Sequence, residues 1–244
     1  MTFAHKLIGC RKVLLSEFDP ADDHGLNAES ARAQAEAHLN DLRRLPGRIR
    51  AGHPASVALI FQGPHLSGKG EMVRWLVVAI SPVPCRTVVW AGRPAAENTT
   101  DFLASARGEM PPSGAVSLFN RSYYETVLSE RMSGVASEKI WRRRYQPISE
   151  FEVSLVNSGA LVLKFFLHLS RDELDRRFKH APPESAPNGW NELQHWDPYT
   201  SACQDALTKC STQEAPWYVI PADIPWLRDL AVAEALSDSL RAFR

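Results

Sequence analysis

The chain alternates short apolar runs with amphipathic stretches, and that alternation predicts strands and helices in turn. Val57–Phe61 is a continuous apolar run, VALIF, of the length and β-branched content expected of a buried central strand. Further strands are expected at Arg86–Gly92, Ala115–Phe119 and the segment ALVLKFFLHLS from Ala160, with a fifth in WYVIPA from Trp217. Between them the apolar spacing becomes helical: Glu71–Ile80, Ser137–Asn157, Trp196–Cys210 and Pro225–Phe243. Caps support several starts. Asn27 stands before an Ala-rich helix running to about Leu45 and stopped by Pro46 and Gly47; Ser170 precedes Glu173 by three positions, as in a capping box. Alternating strands and helices imply a parallel sheet covered on both faces. The expectation is a three-layer α/β sandwich with a five-stranded parallel sheet, preceded by an arm over residues 1–50, with the main domain over 51–244.

Composition excludes little. Lys plus Arg and Asp plus Glu each total 28, so bulk charge argues for neither nucleic acid nor membrane as a partner. The start MTFAHKLIGCRK lacks the apolar core of a signal peptide, and no apolar run approaches a membrane span. Cys10, Cys85, Cys203 and Cys210 show no metal-ligand spacing and read as free thiols, so a cytoplasmic location is expected.

Chemistry concentrates in two segments. Gly63-Pro-His-Leu-Ser-Gly68-Lys69 matches G-x-x-x-x-G-K between a strand and a helix. There, glycines turn backbone N–H groups toward a phosphate, the helix start adds partial positive charge, and the lysine reaches terminal phosphates. Gly70 stands where such loops usually place the Ser or Thr that holds Mg²⁺. The second segment, Asn120-Arg121-Ser122-Tyr123-Tyr124-Glu125, follows a strand's carboxyl end, where open α/β sheets bind ligands. It reads either as a phosphate-compensating Arg121 beside metal-orienting groups or as a capped helix start with Arg121 solvated.

These motifs, in this order with LFNRSYYETVLSERM, the KFFLHLS strand and STQEAPWYVIPAD, resemble the family-2 polyphosphate kinases from about Asp19 to the C-terminus. The resemblance implies a P-loop kinase core with a helical lid at about 170–205. The FNRSxYE form is closest to the branch that phosphorylates nucleoside mono- and diphosphates, with inorganic polyphosphate as donor and Mg²⁺ as cofactor. It implies that Gly63, Gly68, Lys69 and Gly70 form the phosphate loop, and that Arg121 meets the phosphate chain. Asn120 and Glu125 would lie near metal and nucleotide, Glu130 and Arg131 would match a helical pair, and Lys164 would match a family lysine counted with the cofactor-binding residues; Lys164 also reads as a structural ion-pair member. Trp217 reads as core. A homo-oligomer is expected.

Three positions depart from that pattern. His65 replaces a loop Asp, and an imidazole cannot serve as a hard oxygen ligand for Mg²⁺. The lid stretch APPESAPNGWNELQHW carries no Lys or Arg but has Glu184 and Glu192, and Ser105 stands near an expected Arg. Each loss removes positioning or charge that phosphoryl transfer needs. The readings are therefore an active polyphosphate-dependent nucleotide kinase, with His65 counted beside Lys69 and Arg121 at its catalytic centre; a weakened or non-catalytic nucleotide-binding partner subunit; and an unrelated P-loop kinase for a small metabolite.

Overall fold

The structure is a computed structural model and describes residues 2–9, 12–51, 54–90, 101–182 and 192–243. Its sheet has six strands in the order β1-β6-β5-β2-β4-β3. They are β1 (His5–Lys6), β2 (Ser56–Gln62), β3 (Cys85–Val89), β4 (Val116–Asn120), β5 (Ala160–His168) and β6 (Trp217–Pro221). β2 lies inside the sheet, parallel to β5 on one side and β4 on the other. The expected five parallel strands are present, but the sheet is mixed. β1 pairs antiparallel with β6, His5 opposite Val219 and Lys6 opposite Tyr218. Two residues carry no periodicity, so this edge strand left no signal in the pattern.

Successive residues of a strand face opposite sides, and here both sides are covered. Val57, Leu59 and Phe61 of β2 join a core with α1 (Ala28–Leu42), α3 (Lys69–Ala79) and α9 (Pro225–Ala242). Ala58 and Ile60 join a second core with α4 (Ala104–Glu109), α6 (Glu138–Asn157) and α8 (Trp196–Lys209). Trp217 belongs to that second core, 1% exposed, with its ring edge-on to Tyr124 at 4.8 Å. Three layers result, as the alternating pattern implied.

The caps form as read: Asn27 accepts from Ser30 N–H, and Ser170 accepts from Glu173 N–H at the start of α7 (Arg171–His180). The α1 boundary differs. α1 ends at Leu42, and Pro46 opens a separate short helix, α2 (Leu45–Arg50), because proline suits a first helical turn, where its missing N–H costs nothing. Ser122 caps a single 3-10 turn, Tyr123–Thr126, before α5 (Ser129–Met132). The N-terminal residues are tied to the main domain, with Phe3 N–H donating to Glu234 at 2.8 Å and Asp41 of α1 accepting from Ser237 of α9 at 2.7 Å. Cys85, Cys203 and Cys210 are free thiols; Cys10 lies outside the described residues. Among the described residues no helix is long and apolar enough to cross a membrane.

Candidate active site

β2 and β4 are neighbours and end level with one another, Phe61 opposite Asn120. The loop leaving β2 and the turn leaving β4 are therefore side by side, and Arg121 N–H closes the junction by donating to Phe61 O at 3.0 Å. Beyond these carboxyl ends lies a cleft of about 1310 Å³, lined by His65, Gly68, Lys69, Gly70, Asn120, Arg121 and Glu125 among others. An open α/β sheet builds its ligand crevice at this edge.

Two glycines make the loop possible. Gly63 has φ +142°, and a Cβ there would lie 2.6 Å from Leu167 O of β5. Gly68 has φ +92°, and its missing side chain leaves room for Arg228, whose Nη1 would otherwise stand 1.6 Å from a Cβ. Arg228 enters from the first turns of α9; it is 3% exposed and pairs with Glu71 at 3.0 Å and Asp229 at 2.8 Å. Arg177 of α7 also grips the loop, donating to Leu66 O at 2.8 Å and to Ala222 O and Asp223 O on the other side.

Lys69 is folded back into this loop. Its Nζ donates to Pro64 O at 2.6 Å, Gly63 O at 2.9 Å and Ser67 Oγ at 3.3 Å. Burial, and then the nearby Arg121 cation, push its pKa down to about 7. Arg121 holds a left-handed backbone, φ +62°, uncommon for a non-glycine residue and recurrent at functional sites. Its guanidinium bridges two carboxylates, Glu125 at 3.3 Å and Glu192 at 3.3 Å, and Glu125 foremost raises its pKa. Glu192 also accepts from His65 N–H at 3.2 Å. The His65 ring is stacked on Phe178, centroids 5.7 Å apart.

The structure thus gathers His65, Gly68, Lys69, Gly70, Asn120, Arg121 and Glu125 on one cleft, while Gly63 starts the loop without lining it. Lys164 is elsewhere. It is 0% exposed within the second core, where it pairs with Glu152 at 2.5 Å and donates to Cys210 O and Tyr124 Oη. Burial there raises the Glu152 pKa. Arg131 pairs with Asp205, and Glu130 with Arg144, each as part of the packing of α5 against its neighbours. Glu184 lies outside the described residues.

The motif reading missed Arg74, Arg176, Arg177 and Arg228, all of which line the cleft. Arg228 lies in the first turn of α9, but Arg176 and Arg177 lie in the second half of α7 and Arg74 in the middle of α3, so no local pattern marked the four together. With those arginines the cleft carries a basic wall even though the stretch after α7 has none.

Oxygen donors suited to a hard divalent cation are present in Asn120 and Glu125. Among the described residues no three His, Cys, Asp or Glu side chains are grouped to hold a metal ion.

The family model described as Polyphosphate kinase 2 matches residues 25–243. An AMP/ADP-polyphosphate phosphotransferase of Meiothermus ruber is 32% identical over 234 residues, covering 93% of this chain and 88% of its own. An ADP-polyphosphate phosphotransferase of Rhodopseudomonas palustris is 32% identical over 88% of this chain and 80% of its own length. Among solved structures, polyphosphate kinase 2 from Arthrobacter aurescens superposes with a TM-score of 0.85 at 30% identity, covering 98% of this chain and 88% of its own.

Proposed function

Because the chain belongs to the polyphosphate kinase 2 family, we propose that it transfers a phosphoryl group between inorganic polyphosphate and a nucleotide such as AMP or ADP. The carrying observation is the convergence of the glycine-bounded loop, Lys69 and Arg121 at one cleft edge. In this reading an oxygen of the acceptor's terminal phosphate attacks the donor's terminal phosphorus. The new P–O bond forms as the bridging P–O bond of the chain breaks, and the shortened polyphosphate leaves with the electron pair. Little covalent chemistry is asked of the protein; positioning and charge neutralisation supply the acceleration. The loop N–H groups and Lys69 hold the phosphates in line, and Arg121 spreads the charge that accumulates on the transferring group. Arg74, Arg176 and Arg228 give the rest of the polyanion a basic wall.

A divalent metal belongs to this chemistry, and Mg²⁺ is the ion that the oxygen donors suit; Asn120 and Glu125 would hold it, and it would neutralise phosphate charge. His65, in place of an oxygen donor, is where turnover would be reduced. The non-catalytic reading gains no support, since the relatives are named as phosphotransferases. The test is purified protein with Mg²⁺, polyphosphate and each of AMP, ADP, GMP and GDP. Phosphorylated product with any acceptor is the expected result; none with any would overturn the reading.

A further inference from the structure

We infer that the Glu192 carboxylate is an internal occupant of the phosphate pocket, which a phosphate-bearing ligand must displace in order to bind. The inference rests on the phosphotransferase reading of the same site. Glu192 begins the turn that leads into α8, its carbonyl accepting from His195 N–H at 3.2 Å. Its Oε1 accepts from His65 N–H at 3.2 Å and from Arg121 Nη2 at 3.3 Å. A backbone N–H of a glycine-bounded loop together with a guanidinium is a donor set built for a phosphate oxygen. In this state it holds a carboxylate of the chain itself.

Two further observations separate an occupant from a structural carboxylate. Glu192 is 1% exposed, yet its Oε2 has no hydrogen-bond partner among the described residues. A permanently buried acid is normally satisfied at both oxygens, and an orphaned charged acceptor is costly. The two bonds it does make are also long, where charge-assisted pairs ordinarily close to about 2.7–2.9 Å. Lys69 completes the pattern: its ammonium is turned onto loop carbonyls rather than toward Glu192. The loop is satisfied from within, loosely, by groups that a phosphate can replace. A phosphate offers three oxygens and more charge to the same donors, and Lys69 can then turn outward to it.

An internal competitor reduces apparent affinity by the fraction of molecules in which it has left. Glu192→Gln keeps the shape and removes the charge that holds Arg121. Glu192→Asp keeps the charge but is one methylene too short to reach both donors. Isothermal titration of the full chain with tripolyphosphate should show Glu192→Gln binding about tenfold more tightly than wild type, with Glu192→Asp between them. If Glu192→Gln does not fold, the Asp variant alone carries the test by its gain. Unchanged or weaker binding in the folded variants, with wild-type binding still abolished by Lys69→Met, overturns the occupancy and leaves the phosphotransferase reading standing. Wild type and variants that all fail to bind tripolyphosphate overturn both.

Discussion

Two groups of buried carboxylates and cations lie on either side of β2, and they are finished to different degrees. In the second core, the Lys164 ammonium has three acceptors, Glu152, Cys210 O and Tyr124 Oη, and the other Glu152 oxygen takes Tyr123 at 2.6 Å and Tyr124 at 2.9 Å. At the cleft, Arg121 spans Glu125 and Glu192 at 3.3 Å each, from a left-handed backbone, and one Glu192 oxygen has no partner among the described residues. A closed network leaves nothing for a ligand to contribute. An open one, with long bonds facing a cleft, has its best partner still to come. The sequence motifs treat Lys164 and Arg121 alike; completeness of hydrogen bonding separates them.

The strongest way to break this contrast is Lys164→Met. It strands Glu152 in a dry core, and removing one partner of a buried pair costs about 3–5 kcal/mol. Denaturant unfolding should show that loss. Combining Lys164→Met with Glu152→Leu should recover much of it, and ligand affinity of the folded fraction should hold. A stable Lys164→Met protein that no longer binds tripolyphosphate would place the lysine in the wrong group.

Lys69→Met should do the reverse. Loss of a charged phosphate donor costs on the order of 10²–10³ in turnover. Stability should not fall, because an ammonium whose pKa burial has pushed down is held at some cost. Unfolding midpoints and initial rates measured on one preparation decide it, and a large stability loss would make Lys69 a structural member of the loop.

The pH dependence sharpens the contrast further. With its pKa near 7, Lys69 in the free protein is mostly neutral at pH 8. A bound polyanion favours the charged form and raises that pKa, so binding takes up a proton. Affinity for tripolyphosphate should therefore fall as pH rises above about 7, by up to about tenfold per unit, until the pKa of the complex is passed. Below 7 the lysine is already charged and this contribution levels off. Lys69→Arg, charged throughout, should flatten the difference; equal profiles would remove Lys69 from the binding event.

Much of this arrangement is legible in the residues themselves. β2 carries a run of five apolar residues, and Ser170, Asn27 and Ser122 announce the helical turns they cap. Gly63, Gly68 and Lys69 could be read because their local spacing is itself the device. β1 was not legible, since two residues show no period and only pairing with β6 defines them. Arg228 was not, because its meaning depends on α9 meeting Gly68 from 160 positions away in the chain. In the sequence Glu192 stands out only as an acid in a stretch without Lys or Arg. Its position against His65 N–H is set by long-range packing that no local pattern encodes.

The smallest expected effect, and the finest test of the open group, is His65→Asp. The ring now stacks on Phe178, a contact worth about 0.5–1.5 kcal/mol, so a modest stability loss is expected from the exchange alone. The new carboxylate would stand at the cleft with Glu125 and Glu192, on the wall that already holds the Asn120 oxygen. Without metal, a third negative charge should weaken tripolyphosphate binding. With Mg²⁺, the same group becomes an oxygen ligand of the type this ion accepts, and phosphoryl transfer should rise roughly fivefold. The increase stays small because phosphate oxygens and water would supply most of the coordination, and because Arg74 and Arg176, which line the cleft away from the loop, would meet the chain's charge unchanged. The diagnostic is the opposition of signs: weaker metal-free binding beside faster metal-dependent transfer. A variant that is slower under both conditions would show that the imidazole itself is used, and that His65 marks a different solution to charge neutralisation and not a loss.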